Sequence, residues 1–531
     1  MTFDISKIKT LGTEELLQTP LVQYLLGVCQ TLSEKNEELE AEIRLLKGHP
    51  KKPTIKPSTI EDLKKEETLK DEEKRAGSDK REKTKELKIH NESIIKVTEA
   101  QKGWEFKGYH DFIVQDIKIE SYNTKYRLEK YITPEGKYVT ASIPKELGGS
   151  HFGPTLRKFV LYQYYDCHVT QPILLEQLKE IEVDISSGEL SYLLTEKKDV
   201  FHQEKESLLT KGLEISPYIQ SDDTGARHNG KNGYCTVICN DLFTYFKSGG
   251  SKSRINFLDM LRTSQYEDYH INSFALLYMK QQKLPIKYKI LLEYESPSVF
   301  SDKISFEKHL SALGITAEYA VRIVTEGALI GSILDHSKNM ENMAIISDDA
   351  GQFNVFVHGL CWIHAERNIQ KVHCFTKEQT ALLEYKLSEF WKLYKELKLY
   401  KEKAVPFMKE ELNRRFDQIF VEKTGFLSLD QALEKIGKNK QELLLVLDRP
   451  NIPLHNNTSE RDIREYVKTR KISGSTRSNN GQKCRDTFTS LKKTCRKLGI
   501  SFWEYLDDRI NMTMKIPLLS EVVALTYITN K

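Results

Sequence analysis

The chain alternates between short apolar segments and long stretches with helical periodicity, a pattern that predicts an α/β fold. Residues 218–224 and 233–239 each have the length and character of a strand, and the Gly- and Asn-rich turn between them predicts a hairpin. Residues 343–349 begin as a continuous apolar run, as in a strand buried on both faces. Long helical patterns follow over residues 376–450.

Acidic residues end two of the predicted strands. Asp222 and Asp223 lie at the end of the first strand, and Asp348 and Asp349 end the buried one. Open sheets place ligand sites at strand ends, so these acids could reach a shared centre. Because successive strand residues face opposite sides, only one acid of each pair can do so. The sequence does not decide which acid of each pair it is.

A third acid, Glu460, lies at the start of a predicted helix. At helical spacing it shares a face with Ile463 and Val467, which indicates that it points toward the packed side. One interpretation is a capping box, with Asn457 as the N-cap and Glu460 as its partner three residues later. The other is a metal site formed with the two strand-end acids. Carboxylates suit Mg²⁺, and two such ions can stabilise the attacking and leaving oxygens of a phosphoryl transfer.

Basic residues follow Glu460 at high density. Between Arg461 and Lys497 the sequence has twelve Lys or Arg residues and three acids, although the net charge of the whole chain is only +4. This one-sided composition predicts contacts with nucleic-acid phosphates. The residues predicted to make them are Arg461, Arg464, Lys468, Arg470, Lys471 and Arg477.

Four motifs together resemble one known family. Residues 222–224 resemble its first Asp-acid-Thr motif, and residues 347–353 resemble the motif around its second acid. Residues 361–367 are similar to its Cys-Trp-x-His-Ala-x-Arg motif, and residues 456–464 to its Asn-Asn-x-x-Glu-Arg-x-Ile-Arg signature. The family is the bacterial Insertion Sequence 66 group of DDE transposases. The resemblance extends from about residue 155 to the C-terminus.

The resemblance implies an RNase H-like catalytic core with helical insertions. Carried over by position, Asp222, Asp348 and Glu460 are the catalytic triad and the ligands of two Mg²⁺ or Mn²⁺ ions, with Cys361 and His364 supporting the site. The implied activity is metal-dependent cleavage and strand transfer of an insertion sequence, acting on double-stranded DNA at the element ends and at the target. Two alternatives remain: a nuclease that cuts without joining, and an inactive DNA-binding derivative.

Histidine and cysteine residues near the second acid suggest a further metal site. Cys361, His364, His373 and Cys374 lie close together in the sequence, but Cys-x-x-His followed by adjacent His and Cys matches no common zinc pattern. We therefore expect no zinc at these four residues.

The N-terminal segment carries a heptad pattern. Leu25, Leu32, Leu39 and Leu46 recur every seven residues, and Asn36 occupies the alternate apolar position, where a polar residue favours a two-stranded coiled coil. The sequence therefore predicts a homo-oligomer, at least a dimer. The alternative is a single amphipathic helix that docks on its own chain.

Two further regions precede the core. Residues 112–119 and 125–131 alternate as strands do, and residues 103–150 contain no cysteine, whereas the family commonly has a Cys-rich ribbon there. We therefore predict a small β module without zinc. Residues 155–194 read as short helices joined by tight turns, which fits either a DNA-binding helix-turn-helix or helical packing without a DNA role.

These patterns divide the chain into six regions. They are an amphipathic helix (1–47), a charged flexible linker (48–102), the β module (103–150), the helical region (151–210), a catalytic domain with helical insertions near 265–335 and 376–450 (211–510), and a C-terminal tail (511–531).

Composition agrees with an intracellular enzyme. Eight scattered cysteines give no disulfide framework. The N-terminus lacks a basic and then apolar leader, and no apolar stretch reaches the length of a membrane span. We expect a cytoplasmic, nucleoid-associated protein that does not contact membranes. Accessory proteins encoded by the same element are potential further partners.

Overall fold

The structure is a computed structural model. It describes residues 24–25, 27–28, 31–32, 35, 89–96, 107, 109–144, 147, 149–294 and 296–529. The chain divides into two units, the first formed by Met1–Phe3 and Val28–Ile119 and the second by Asp4–Gly27 and Glu120–Lys531. The few described residues before position 36 are helical. The rest of the predicted coiled-coil segment, and the linker up to residue 88, lie outside the described residues.

The second unit is a mixed α/β structure whose elements are numbered here in chain order. The strands are β1 (Lys130–Ile132), β2 (Tyr138–Thr140), β3 (Tyr218–Gly225), β4 (Tyr234–Cys239), β5 (Thr244–Gly249), β6 (Tyr269–His270), β7 (Val299–Phe300), β8 (Ala344–Ser347) and β9 (Val357–Leu360).

The helices fall into three groups along the chain. The first group, before β8, is α1 (Pro154–Tyr165), α2 (Gln171–Glu180), α3 (Ser187–Thr195), α4 (Asp199–Ile215), α5 (Arg254–Leu261), α6 (Ser273–Gln281), α7 (Ile286–Tyr294), α8 (Lys303–Ala312), α9 (Glu318–His336) and α10 (Lys338–Asn342). The second is α11 (Trp362–Gln370), α12 (Lys377–Glu402), α13 (Pro406–Phe420), α14 (Leu427–Gly437) and α15 (Lys440–Leu443), followed by a 3₁₀ helix (Leu445–Leu447). The third is α16 (Asn457–Ser473), α17 (Asn479–Lys497), α18 (Phe502–Ile510) and α19 (Leu519–Thr529).

A five-stranded sheet forms the centre of the second unit. Its strand order is β5-β4-β3-β8-β9, with antiparallel pairing from β5 to β3 and parallel pairing from β3 to β9. The predicted hairpin and the predicted buried strand are confirmed as β3, β4 and β8. The strands β5 and β9 were not predicted, because β9 is only four residues long and neither carries acids at its end.

Three apolar cores hold helices against the sheet. The largest includes residues of α1 to α4, of the insertion between β5 and β8, and of α17 to α19. A second core packs α11 to α14 against β8 and β9. The third is small and joins β4 and β5 to α16 through Val237, Phe246, Ile463 and Tyr466. The sheet is therefore covered on both faces by helices that come from distant parts of the sequence.

The predicted helices of residues 155–194 form, with local features that explain them. Pro172 lies in the first turn of α2, and Ser186 and Glu189 make a reciprocal capping box at the start of α3. Their apolar residues belong to the same core as the sheet, so these helices are not a separate folded unit. The sequence predicts a C-terminal tail at residues 511–531. In the structure this region contains α19, which packs against α4.

The prediction of strands at residues 112–119 and 125–131 is wrong for most of its length. Residues 109–129 form no regular element, and the only hairpin within residues 109–144 pairs β1 with β2. The apolar side chains of Phe112, Val114 and Ile117 are exposed. Alternation alone does not make a strand, because a strand needs a partner to satisfy its backbone groups and a surface to cover its apolar face.

No helix within the described ranges is both long enough and apolar enough to cross a membrane.

Candidate active site

The pairing of β3 with β8 brings the first two predicted acids to corresponding positions. In the parallel register Gln220 lies opposite Ile346. Continuing this register by two residues places Asp222 opposite Asp348, which directly follows β8. Corresponding residues of parallel neighbours point to the same face of a sheet. The two carboxylates therefore lie side by side, Asp348 just past the end of β8 and Asp222 within β3, which continues to Gly225.

The register also distinguishes Asp222 from Asp223. On β4 the partner of Asp222 is Val237, which packs with Ile463 and Tyr466 of α16. Asp222 thus points to the face that α16 covers. Asp223 points to the opposite face, where its carboxylate accepts a hydrogen bond from Gln352 and lies 3.9 Å from the ammonium of Lys252.

The second acid pair separates in a similar way. Asp348 is half-buried, and its Oδ1 accepts a hydrogen bond from the backbone N–H of Ala350 at 3.1 Å. Asp349 is exposed and lies 3.8 Å from the ammonium of Lys435. The structure thus places Asp222 and Asp348, rather than their neighbours, at the shared centre.

Glu460 reaches this centre from the first turn of α16. The N-cap residue of the helix is Asn456, and the side-chain oxygen of Gln220 accepts hydrogen bonds from the backbone N–H groups of Thr458 at 3.0 Å and Ser459 at 3.3 Å. The predicted capping box between Asn457 and Glu460 is wrong, because Asn457 is already helical and a buried residue of β3 satisfies the first amides instead. The Glu460 side chain is thereby free for another role.

One oxygen of Glu460 is buried without a partner. Its side chain is 16% exposed, and Oε1 accepts no hydrogen bond from any residue that the structure describes. The nearest cationic or imidazole nitrogens, on His364 and Arg367, are 3.6 Å from Oε1, and Arg464 is 3.6 Å from Oε2. Buried carboxylate oxygens cost free energy unless they are hydrogen-bonded, paired or bound to a cation. This oxygen is therefore a candidate ligand atom.

Electrostatics link the three acids. The pKa of Asp222 is raised from 3.8 to about 7, first by burial and then by the negative charges of Asp348, Asp223 and Glu460, against a lowering hydrogen bond from the Asp223 amide. Like charges held together at a half-buried site are unfavourable without a counter-ion. An all-oxygen donor set with excess negative charge fits Mg²⁺ or Mn²⁺.

Cys361 and His364 lie beside Glu460 on the first turn of α11. Burial raises the pKa of the Cys361 thiol, backbone N–H groups of Asn456, His364 and Ile363 oppose that shift, and the charge of Glu460 adds to it. The Arg367 guanidinium donates a hydrogen bond to Nε2 of His364 at 3.1 Å. Both residues therefore lie near Glu460, and their supporting role stays a prediction.

Sequence reasoning missed two residues at this site. Gln220 precedes Asp222 by two positions and therefore shares its strand face, which is a signal that strand periodicity could have given. Arg367 follows His364 by three positions on α11, so helical periodicity places both on one face.

The predicted phosphate-binding residues lie mostly on the outer side of α16. Arg461, Arg464, Lys468 and Lys471 are exposed, and so is Arg477 in the following loop. Arg470 is half-buried, and its guanidinium donates to the carbonyl oxygen of Gly225 and to Thr224. The exposed cations form a basic surface that continues from Glu460 along the helix.

In the second half of the basic tract Lys483 and Arg496 are exposed, but Arg485, Lys492, Lys493 and Lys497 are buried or half-buried, so the charge of the tract is not all available to phosphate. Lys493 lies 2.9 Å and Lys497 2.6 Å from carboxylate oxygens of Asp462. Lys492 is fully buried and lies 2.7 Å from Glu465. The helix α17 packs on β5, and its residues Lys492, Lys493 and Lys497 are neutralised by acids of α16.

The four Cys and His residues considered as zinc ligands do not lie close together in the structure. In the described part of the chain, Cys361, His364, His373 and Cys374 do not form a group of three or more close ligand atoms. His373 is exposed, whereas Cys361 is buried.

Comparison with known proteins agrees with the motifs. The family model described as "Transposase IS66 family" matches residues 340–484, a range that includes Asp348, the start of α11 and Glu460. A relative named "Uncharacterized protein y4jO", from Sinorhizobium fredii (strain NBRC 101917 / NGR234), is 42% identical over 307 residues, which are 57% of this chain and 95% of the relative. The chain belongs to the IS66 family of transposases.

Proposed function

We propose that the protein cleaves DNA at the ends of an insertion sequence and joins the freed 3′ ends to target DNA, using Asp222, Asp348 and Glu460 to hold two divalent cations. The proposal includes an RNase H-like core. A mixed sheet that carries two of the acids at corresponding positions of adjacent parallel strands, with the third on a covering helix, supports it.

One observation carries the proposal: the charges of Asp348 and Glu460 act on Asp222 although the three acids come from separate segments, and the buried Oε1 of Glu460 accepts no hydrogen bond within the described residues. The ligand oxygens of these acids are not all as close as those of a single ion, so the proposal places them around two ions rather than one. A capping role for Glu460 is excluded by Gln220, which already accepts the first helical amides. The nearby side chains of His364, Arg367 and Arg464, each 3.6 Å from Glu460, only partly offset the charge of three neighbouring carboxylates, which favours a cation site.

Mg²⁺ or Mn²⁺ at this site would supply Lewis-acid stabilisation of the attacking and leaving oxygens at phosphorus. The protein's own side chains position the carboxylates that would bind these ions. Gln220 fixes the start of α16, and thereby the position of Glu460 relative to Asp222. His364 and Arg367 lie on the other side of Glu460 and limit where its carboxylate can turn.

DNA binding falls to the exposed basic surface of α16. Arg461, Arg464 and Lys468 follow Glu460 on the solvent side of the same helix, so a phosphate backbone lying along them would pass the acids. This surface contacts phosphates and therefore supplies affinity rather than sequence recognition.

We also propose that the protein acts as a dimer or larger assembly at the bacterial nucleoid. Leu25 and Leu32 are exposed and helical, as expected of heptad positions that a second helix would cover in a coiled coil. Pairing of two chains would hold two element ends together.

A strand-transfer assay tests the proposal. The purified full-length chain is incubated with duplex DNA that carries the element ends, a target plasmid and Mg²⁺. We expect cleaved ends and joined products with the unaltered chain, neither with Glu460→Gln, and both with Asp349→Asn, the matched control beside Asp348. Full activity of Glu460→Gln would show that the assignment of Glu460 is wrong. Cleavage without joined product would indicate a nuclease, and DNA binding alone would indicate an inactive derivative.

A further inference from the structure

A second group of metal-type ligands lies in the helical insertion between β5 and β8. Asp268 precedes β6, His270 is the second residue of β6, and His336 ends α9. In the described part of the chain, this is the one group of three or more His, Cys, Asp or Glu residues whose ligand atoms are mutually close. Nε2 of His270 lies 3.0 Å and Nε2 of His336 lies 2.7 Å from Oδ2 of Asp268.

A second layer of contacts orients these three side chains. Asp335 Oδ2 lies 2.6 Å from Nδ1 of His270, and the Ser332 hydroxyl donates to Oδ1 of Asp268 at 2.6 Å. The ring of Tyr266 stacks on the ring of His336, with centroids 3.7 Å apart and an interplanar angle of 6°. Metal-binding histidines typically donate their other ring N–H to a carboxylate, which turns the remaining nitrogen toward the ion. The contact between Asp335 and His270 has this form.

The charges at the cluster favour a cation. His270 is buried between two carboxylates, one at each ring nitrogen. If Nδ1 donates its proton to Asp335, the lone pair of Nε2 faces Asp268, which is unfavourable unless a proton or a metal ion lies between them. The nearby Arg262 donates to the backbone oxygen of Asp268 and pairs with Asp259, so it does not neutralise the two cluster carboxylates.

We propose that Asp268, His270 and His336 bind one Zn²⁺ ion, with water in the fourth position. Two imidazoles and one carboxylate suit Zn²⁺ and not Mg²⁺, which prefers oxygen ligands. Zinc bonds of about 2.0–2.2 Å need ligand atoms slightly further apart than they are here. The partly exposed His336 ring can move out by the few tenths of an ångström required. The fourth position opens toward solvent, because His336 and Asp268 are both partly exposed.

The role of this ion is structural. It connects β6 to the end of α9 across the 65 residues between His270 and His336, and so fastens an early part of the insertion to a late one. The site shares no residue with Asp222, Asp348 and Glu460. It does not depend on the proposed function.

Metal binding to the full-length chain tests the proposal. The Asp222→Asn/Glu460→Gln double variant serves as background, so that the acidic site cannot hold an ion. After treatment with a chelator and dialysis, Zn²⁺ is added, and bound zinc and the melting temperature are measured. Co²⁺ replaces Zn²⁺ in a parallel titration, where its visible absorption reports nitrogen and oxygen coordination.

We expect one Zn²⁺ per chain and a higher melting temperature with the metal. His336→Ala should abolish both, and Asp335→Asn, which keeps all three ligands, should weaken zinc binding by about 10- to 100-fold. His373→Ala is the matched control and should leave binding unchanged. The proposal fails if no zinc is retained, if His336→Ala retains it fully, or if His373→Ala is the variant that loses it. In the first case the cluster holds protons alone.

Discussion

The side-chain oxygen of Gln220 accepts a hydrogen bond from the backbone amide of Thr458 at 3.0 Å, so a residue of β3 caps the helix that carries Glu460. Asp222 lies two positions further along the same strand face. The distance between Asp222 and Glu460 is therefore set by a helix cap, Gln220, that comes from a different part of the chain than the helix.

Replacing Gln220 with methionine removes this acceptor while keeping the length of the side chain. We expect a loss of about 1–2 kcal/mol in the free energy of unfolding, the usual cost of a lost cap, and a larger relative loss of strand transfer because Glu460 shifts. Urea unfolding and the strand-transfer assay measure the two effects. Gln282→Met, at an exposed position outside the sheet, should change neither. Unaltered activity of Gln220→Met would mean that the cap does not position Glu460.

Asp222→Asn should stabilise the metal-free protein at pH 8. The pKa of Asp222 is raised to about 7 in the folded state, mainly by burial. The folded chain thus binds a proton more tightly than the unfolded chain, and its stability falls as pH rises from about 4 to about 7. Asparagine removes that unfavourable charge, so the melting temperature in chelator should rise by at least about 2 °C at pH 8.

Near pH 5 the same substitution should have little effect, because Asp222 is then protonated in the folded chain. The exposed Asp349→Asn serves as the control and should be neutral at both pH values. A stabilisation by Asp222→Asn that is equal at pH 5 and pH 8 would contradict the electrostatic explanation.

Neutralising Arg461, Arg464 and Lys468 together should weaken DNA binding uniformly across sequences. Each lost phosphate contact should reduce the slope of log affinity against log salt by about 0.9. Titrations of labelled duplex at several salt concentrations measure this slope. Glutamine substitutions at Lys287, Lys303 and Lys308, which are exposed on the insertion, remove the same charge elsewhere. Equal losses from both sets would show that net charge, rather than the surface of α16, determines binding.

Removing only one partner of the Lys492–Glu465 ion pair should lower the free energy of unfolding more than removing both partners. A hydrogen bond to His168 and the pairing with Lys492 hold the pKa of Glu465 well below its usual range. The stability that this acid contributes is therefore present above pH 4.5, its ordinary pKa, and lost as pH falls below it. Lys492→Met leaves the buried carboxylate of Glu465 with only His168 and the exposed Lys468 as partners, and should cost about 3–5 kcal/mol at pH 7.

The double variant Lys492→Met/Glu465→Leu should recover part of that loss, because no uncompensated charge remains. Urea unfolding of both variants measures the difference. Lys468→Met, which removes an exposed cation 3.5 Å from the same acid, is the control and should cost less than about 1 kcal/mol. A double variant no more stable than the single one would argue against this explanation.

Local patterns predicted the parts of the site that depend on periodicity. The apolar runs ending in Asp222 and Asp348, and the helix that begins near Glu460, follow from strand and helix spacing. The choice of Asp222 over Asp223 depends on pairing with Val237 of β4 and on the α16 residues packed there, which no local pattern contains.

Interactions between distant segments also explain two differences between the sequence-based predictions and the structure. Lys493 and Lys497 look like phosphate ligands in a basic tract, but Asp462 neutralises both once α16 and α17 pack together. Residues 112–119 alternate like a strand, yet no strand among the described residues pairs with them. In both cases the deciding interaction lies outside the segment.

The parallel pairing of β3 with β8 has a consequence for synthesis of the chain. Asp222 and Asp348 are 126 residues apart, Glu460 is a further 112 residues away, and α19 hydrogen-bonds to α4 through Leu519 and Glu204. Contacts between such distant segments form late in folding. A chain emerging from the ribosome cannot assemble the three acids until Glu460 has been translated, so a product truncated before that residue would lack both the third acid and the basic helix that carries it.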